Sequence, residues 1–314
     1  MTASTAVEDR RRATTWPTLP LAEWKDSLAT LHRWVQMVGK TRLALAPLVN
    51  HWWHVTLYLS SRGLTTSPMP YAGRTVEVEL DFVDHNLLVR TSDGATRAIA
   101  LVPRTVADFY REYTALLGSL GLRIKLWPVP SEMEDVLPFP EDQQHRSYDP
   151  DYVARCWRIL SQASRVIQDF RGGFIGKCSP VHFFWGGFDL ACTRFSGRHA
   201  PPHPGGVPHL PDRVAREAYS HECISAGWWP GGGPIGEPLF YSYIYPEPPG
   251  YAVAPVRPAE AYYSKDLREF VLPYEAVRKA ERPDDMLIQF LQSTYEAGAN
   301  LAGWDRPSLE RRES

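Results

Sequence analysis

The chain has 314 residues, of which 44% are hydrophobic, 12% aromatic and 22% charged, and this composition is that of a folded globular protein. Its 34 basic and 36 acidic side chains give a formal net charge of −2, which excludes a bulk attraction to nucleic acid or to an anionic membrane surface. No apolar run is long enough to cross a bilayer, and neither a signal-peptide pattern nor a Cys-x-x-Cys pair is present. We therefore expect a cytoplasmic protein with free thiols and with no nucleic-acid or membrane partner.

The first half of the chain changes from helical to strand periodicity and back. After a polar tail over residues 1–20, apolar residues at three- and four-residue spacing predict a helix over 21–39 that ends near Gly39. Alternating apolar residues between 54 and 101 predict about four strands, with Asp93-Gly94 as a hairpin turn. A second helix is expected from its N-cap, Thr105, to about residue 120, followed by a short strand over 123–127.

The second half repeats this order of elements. Residues 128–149 are rich in Pro, Glu and Asp and predict a linker, after which Asp149-Pro150 predicts the start of a helix to about residue 170. Strand patterns at 182–193, 220–228, 239–245 and 269–272 precede a last helix over 283–298. We therefore predict the α+β class, with similar helix–antiparallel sheet–helix units over 21–127 and 150–303 and a polar tail over 304–314.

A short sequence match suggests that the two units arose by internal duplication. Lys40 followed by His51 in the first unit resembles Lys177 followed by His182 in the second, each lysine directly after a glycine. The spacer between lysine and histidine differs by six residues, so the match requires a gap. Duplicated units would pack about a pseudo-two-fold axis, and the crevice between them is a common place for a ligand.

Distinctive motifs occur at residues 34–40 (WVQMVGK), 50–54 (NHWWH), 176–190 (GKCSPVHFFWGGFDL), 193–198 (TRFSGR) and 218–222 (AYSHE). In these motifs the chain resembles a family of bacterial proteins of unknown function, and the resemblance covers nearly its whole length. It implies no reaction, cofactor or catalytic residue. The chemistry has to be argued from the residues themselves.

Four histidines and a glutamate form the first candidate site. Neutral imidazole and carboxylate are the usual protein ligands of Zn²⁺ and Fe²⁺. A divalent metal centre would use His51, His54, His182, His221 and Glu222, with His182 and His221 also available as catalytic acid–base groups. The alternative is that these aromatic-flanked histidines are core residues with ordinary hydrogen-bond partners.

The second candidate is Asp189, a third predicted catalytic residue, which a strand would place on the face opposite its apolar neighbours. Arg194 or Arg198 could neutralise it, fixing the end of the strand, or could bind a substrate carboxylate or phosphate, which would make the ligand anionic. Adjacent aromatic residues on a strand point to opposite faces, so one of each pair can line a crevice. The predicted ligand-binding residues are Arg194, Arg198, Trp53, Phe184, Trp185 and Lys177, the last of which could instead cap a helix.

Together these residues predict an enzyme that acts on a small molecule in an aromatic-lined crevice by metal-assisted or acid–base chemistry. A metal-dependent hydrolase or oxygenase fits the set of histidines and carboxylates. Two alternatives remain open. One is a non-catalytic protein that binds a small molecule between the two units, and the other is a structural homodimer that associates through exposed aromatic residues.

Overall fold

Helices of very different lengths pack against two antiparallel sheets. The computed structural model describes residues 15–233 and 235–311. The α-helices are α1 Leu21–Leu45, α2 Val106–Ser119, α3 Pro150–Gly172, α4 Asp212–Ala218, α5 Tyr274–Lys279, α6 Pro283–Leu301 and α7 Arg306–Leu309, and short 3-10 segments occur at Asn50–Val55, Phe139–Glu141 and Tyr251–Val253. None of the described helices is long and apolar enough to cross a membrane.

The first sheet is formed by the strands of the first half of the chain. They are β1 Tyr58–Leu59, β2 Gly63–Thr65, β3 Met69–Tyr71, β4 Arg74–Asp81, β5 Asn86–Thr91 and β6 Thr96–Ala100. Their order in the sheet is β1-β2-β4-β5-β6, with β3 paired to β4 outside this path. The Asp93-Gly94 turn between β5 and β6 is confirmed, because Gly94 has a φ of 92° and the Thr91 amide donates to the Ala95 carbonyl at 3.0 Å.

The second sheet contains many of the residues of the candidate site. Its strands are β7 His182–Phe184, β8 Asp189–His199, β9 His221–Trp229, β10 Leu239–Tyr245, β11 Tyr262–Ser264 and β12 Glu269–Pro273, in the order β11-β12-β10-β9-β8-β7. All neighbouring strands are antiparallel. The α+β class is therefore confirmed.

Alternation along β8 gives the second sheet two different faces. Leu190, Cys192 and Arg194 point to the side where helices α3 and α6 contact the sheet. Asp189 and Thr193 point to the opposite side, into a cavity. The strand pattern of the sequence thus separates a core-facing row of residues from a cavity-facing row.

The two halves of the chain share one hydrophobic core. Buried residues from both sheets and from helices α1, α2, α3 and α6 form a single cluster, which also includes Trp16 and Leu19 from the predicted N-terminal tail. The sheets meet where Leu57 and Phe183 exchange two backbone hydrogen bonds of 2.9 and 2.8 Å. Residues 1–14 and 312–314 of the predicted tails lie outside the described residues.

Two helix starts agree with the local signals of the sequence, whereas other predicted boundaries differ from the structure. Thr105 Oγ1 accepts from the Asp108 amide at 3.0 Å at the start of α2, and Asp149 caps α3. The predicted end of α1 at Gly39 is wrong, because the helix continues to Leu45. Residues 123–127 form no strand, and a 3-10 segment occupies residues 50–55, the beginning of the predicted strand region.

The internal duplication is not confirmed. The helix–sheet–helix order recurs, but the second sheet does not repeat the strand order of the first. The matched residues also differ in local structure, since Lys40 lies within α1 while Lys177 lies in the loop before β7, and His51 lies in a 3-10 segment while His182 begins a strand. The sequence match therefore corresponds to no structural repeat at these positions.

Candidate functional site

A cavity of about 370 Å³ lies on the outer face of the second sheet. Strands β8, β9 and β10 form one wall, the 3-10 segment Asn50–Val55 forms a second, and helix α4 with the loop before it covers the opening between them. Aromatic residues dominate the lining, namely Trp52, Trp53, Phe184, Trp185, Phe195, Tyr219, Tyr241 and Tyr243. A cavity of this size accommodates a small organic molecule.

Tyr241 reaches the cavity-facing carboxyl group of Asp189 across the strand between them. Strand register aligns Tyr241 with Gly227 and Gly227 with Ala191. A Cβ at Gly227 would lie 2.7 Å from Tyr241 Oη and 1.9 Å from the Leu190 carbonyl oxygen. Glycine is therefore required at this position for the tyrosine side chain to cross β9 and approach β8.

The carboxyl group of Asp189 is surrounded by other protein atoms. Tyr241 Oη donates a hydrogen bond of 2.5 Å to Asp189 Oδ2. Burial raises the pKa of Asp189 to about 6, although the hydrogen bond from Tyr241 favours the charged form and opposes part of this effect. Asp189 therefore changes its protonation state near neutral pH.

Glu132 supplies a second carboxyl group from the predicted linker. Its side chain lies against Gly186, where a Cβ would be 2.0 Å from Glu132 Oε1. The residue lines the cavity and is exposed to solvent. Its crowded surroundings raise the pKa to about 7, the charge of Asp189 raises it further, and the nearby ammonium of Lys40 opposes the shift.

His51 is held as a neutral ring at the edge of the cavity. Its Nδ1 lies 2.9 Å from the Ala218 carbonyl oxygen, which can only accept, so Nδ1 carries the proton. Nε2 then presents its lone pair to Lys177 Nζ at 2.6 Å. Burial lowers the pKa of His51, and the Lys177 charge lowers it further.

Three residues of the cavity lining have a strained backbone. His51, Trp52 and Glu132 line it with φ values of 58°, 61° and 57°, in the left-handed region that non-glycine residues rarely adopt. Phe188, directly before Asp189, has a φ of 60°. Each such residue costs on the order of 1 kcal/mol or more, and such residues cluster at functional sites.

The residues predicted as metal ligands do not form a metal centre in the described part of the chain. Within residues 15–233 and 235–311, no three His, Cys, Asp or Glu side chains are grouped so that they could hold an ion. Glu222 is bound to Arg198 at 2.7 Å, and His221 Nδ1 lies 3.0 Å from Ser220 Oγ. His51 and His221 do approach each other, with ring centroids 5.7 Å apart.

His54 and His182 are buried outside the cavity lining. His182 Nδ1 lies 3.2 Å from Thr56 Oγ1, and the pKa of His182 falls to about 3 because burial disfavours the charged ring. His54 Nδ1 accepts from the Val49 amide at 3.4 Å, and its ring packs beside Trp52. Both lie in the core, as in the alternative interpretation of the sequence, but only in part with the hydrogen bonds it expected, since Nε2 of each is buried without a partner among the described residues.

The two predicted arginine anchors lie away from Asp189. Arg194 is 2% exposed on the opposite face of β8, where it donates to the Phe170 carbonyl and its guanidinium lies 3.4 Å from the Phe170 ring centroid. Arg198 is paired with Glu222. Of the predicted ligand-binding residues, Trp53, Phe184 and Trp185 line the cavity, while Lys177 lies beside it through its contact with His51.

Three important cavity residues were missed in the sequence. Glu132 falls in the predicted linker, and Tyr241 and Tyr243 fall in a predicted strand without any predicted role in a site. One usable signal was present, since Gly227 interrupts an apolar strand and a glycine there indicates a close approach by another group. Nothing in the local sequence around Glu132 points to Gly186, which lies 54 positions later.

Comparison with known proteins gives the chain a family but no activity. We found no match among curated proteins and none among solved structures. A family model, described as a family of unknown function (DUF5996), matches residues 16–311 and thus nearly the whole sequence. The chain therefore belongs to the family DUF5996.

Proposed function

We propose that the protein is an enzyme that performs acid–base chemistry on a small molecule in the aromatic cavity. The observation that carries the proposal is the presence of two carboxyl groups, Asp189 and Glu132, both with raised pKa values, on the wall of one cavity. Titratable groups shifted toward neutral pH are typical of catalytic sites. The strained backbone at His51, Trp52 and Glu132 supports the same location.

The surroundings of the two carboxyl groups favour different roles. Tyr241 donates to Asp189 and so stabilises its ionised form, which suits a general base. Glu132 has the higher pKa, about 7 against about 6, and suits a general acid. A base that is ionised beside an acid that keeps its proton is the state that such a mechanism requires.

A non-catalytic binding protein is the second candidate. It is favoured by the aromatic lining, because stacking and apolar contact alone can hold a small molecule. The two functions differ in whether the bound compound is consumed.

The proposal is tested by incubating the purified protein with a small-molecule cell extract and following every compound by mass spectrometry. The matched samples contain the Asp189→Asn, Glu132→Gln or double variant, each checked for an unchanged thermal unfolding transition. We expect at least one compound to be converted by the wild-type protein and about 100-fold more slowly by each single variant. The rate should be highest between about pH 6 and 7 and should fall on both sides.

Two results would contradict catalysis. One is conversion by the double variant at the wild-type rate, and the other is the absence of any conversion by the wild-type protein over the whole pH range. A compound that binds without being changed would support the non-catalytic binding protein instead.

A further inference from the structure

The two carboxyl groups of the cavity are not directly paired with a positive charge in the part of the chain that the structure describes. Among the residues that the structure describes, neither Asp189 nor Glu132 has an ion-pair partner within 4.0 Å. The predicted partner Arg194 lies on the other face of its strand. An ionised carboxylate among protein atoms is costly unless a cation or several donors compensate it, so the cavity favours a ligand that brings the missing charge.

The charged groups around the pair reduce this imbalance without pairing with either carboxyl group. Lys40 donates to Ser131 Oγ at 2.9 Å and lies 5.3 Å from the Trp185 ring centroid, and its charge lowers the pKa of Glu132 from a distance. Lys177 is engaged with His51. Glu269 on β12 is a third carboxyl group near Asp189, so it contributes no positive charge.

Arg213 is the exposed cation on the lining of the described cavity. It lies on α4, with its guanidinium 5.8 Å from the Trp52 ring centroid. Its exposure to solvent screens its charge at the mouth of the cavity. In the described residues it forms no ion pair with Asp189 or Glu132, so the partly buried carboxyl group of Asp189 stays unpaired.

The aromatic walls provide a second source of attraction for a cation. Ammonium groups bind over aromatic faces through the ring quadrupole, most strongly where water is excluded. The protein already uses this interaction beside the cavity, since Lys177 Nζ lies 5.6 Å from the Trp53 ring centroid and 5.1 Å from that of Phe195. Phe184, Tyr241 and Tyr243 line the cavity and have no described cation over their rings.

We propose that the ligand of this cavity is a small organic cation, a protonated amine or a quaternary ammonium on an apolar body, held between the aromatic walls and the carboxyl groups of Asp189 and Glu132. This inference rests on the cavity being the functional site, as proposed above, and it replaces the anionic ligand that the sequence suggested. The apolar body would fill the aromatic part of the cavity. The charged nitrogen would lie against the acidic part.

Choline and its neutral isostere 3,3-dimethylbutanol provide the test, because they differ mainly in the charge of the central atom. Binding is followed by the fluorescence of the tryptophans in the cavity wall and by calorimetry, at pH 8 and at pH 5. We expect choline to bind at least about tenfold more tightly than the alcohol at pH 8. Protonation of the two carboxyl groups at pH 5 should remove most of this preference, while the affinity for the alcohol stays constant.

Variants test the same assignment independently. The double change Asp189→Asn with Glu132→Gln should lower the affinity for choline about tenfold or more and leave that for the alcohol within about twofold. Glu281→Gln, at an exposed residue in the turn before α6, is the matched control and should change neither affinity. If the double variant does not fold, the comparison of the two probes on the wild-type protein still decides the question.

Several results would overturn the inference. They are equal affinity for choline and the alcohol at pH 8, tighter binding of the anion 3,3-dimethylbutanoate, and no binding of choline or of benzyltrimethylammonium at millimolar concentration. These results are distinguishable from a failure of the proposed enzymatic function. Charge-selective binding without conversion of any compound would retain the cationic ligand and contradict only the proposed enzyme.

Discussion

Gly39 shows how one residue inside a helix positions a wall of the cavity. It lies in α1, and the Trp185 ring packs directly on its backbone, so that a Cβ there would be 2.3 Å from the ring atoms Cγ and Cδ1. The Trp185 indole also donates to the Val55 carbonyl at 2.8 Å. Glycine is therefore present for close packing and does not end the helix.

We expect Gly39→Ala to destabilise the protein by about 1–3 kcal/mol, because the added methyl group must displace a packed ring. The matched control is Gly118→Ala in α2, where no heavy atom lies within 4 Å of the added Cβ. That change should stabilise the protein by up to about 1 kcal/mol, the usual advantage of alanine over glycine in a helix. Denaturant unfolding measures both, and a stabilising Gly39→Ala would refute the packing argument.

At the scale of elements, α1 holds the segment 128–149 that carries Glu132. Arg33, Gln36 and Lys40 lie on one face of the helix at three- and four-residue spacing. Gln36 Nε2 donates to the Ser131 carbonyl at 2.7 Å, and the Ser131 amide donates back to Gln36 Oε1 at 2.8 Å. These contacts attach the residue next to Glu132 to a regular element, although the segment itself has little regular structure.

The ion pair between Arg33 and Asp142 provides the test of this attachment. Arg33 is 1% exposed and Asp142 is 0% exposed, with Nε and Oδ2 3.0 Å apart. We expect Asp142→Ala to cost about 3–5 kcal/mol, because it leaves a buried guanidinium with less compensation. Asp135 also pairs with Arg33 at 3.0 Å, but its side chain is 54% exposed. Asp135→Ala should therefore cost less than about 1 kcal/mol.

Chemical denaturation of the two aspartate variants gives the comparison. Equal losses of unfolding free energy would show that burial does not set the strength of this attachment. The Asp142→Ala variant should also reduce the proposed acid–base activity, because Glu132 would lose its fixed position in the cavity.

Elements with local signals were predictable from the sequence, and contacts between distant elements were not. Thr105 and Asp149 mark the starts of α2 and α3 because an N-cap is a property of a few consecutive residues. The partner of His182, in contrast, is Thr56, 126 positions earlier, and no local pattern encodes that contact. The histidines were selected by residue type, but tertiary packing determines which of them meet.

In the candidate site, likewise, the sequence could predict the features that depend on local strand geometry but not those that depend on distant contacts. Alternation along β8 places Asp189 on the cavity face and, by the same rule, Arg194 on the other face five residues later. The expectation of an Asp189–Arg194 pair thus conflicted with strand geometry that the sequence already contained. Glu132 could not be found in this way, because its place depends on α1 and on Gly186.

At the scale of the whole molecule, groups with shifted pKa values predict how stability depends on pH. Glu269 and Asp189 are raised to about 8 and about 6, mainly by burial, and Glu132 to about 7. A carboxyl group whose pKa is raised in the folded state binds its proton more tightly there than in the unfolded chain. Folding stability is then lost as the pH rises from the unfolded pKa through the folded one.

Buried histidines act in the opposite direction over an overlapping pH range. The pKa of His32 falls to about 4 and that of His182 to about 3, chiefly because burial disfavours the charged ring. Their unfolded forms lose the proton around pH 6.5, so their contribution raises stability with pH and fades only by about pH 7.5. Lys40, whose pKa burial lowers to about 8, acts in the same direction as the histidines. The contribution of the carboxyl groups is therefore isolated by comparing variants at the same pH.

We expect the change in melting temperature from about pH 6.5 to 8 to be more favourable in Glu269→Gln than in the wild-type protein, because glutamine cannot ionise. The double change with Glu132→Gln should increase this difference further. Glu281→Gln, at an exposed position, should retain the wild-type profile. Thermal unfolding followed by circular dichroism at constant ionic strength measures the profiles. Identical profiles for the wild-type protein and both glutamine variants would mean that the carboxyl groups near the cavity are ionised at little cost, and the acidic site would then lose its main physical support.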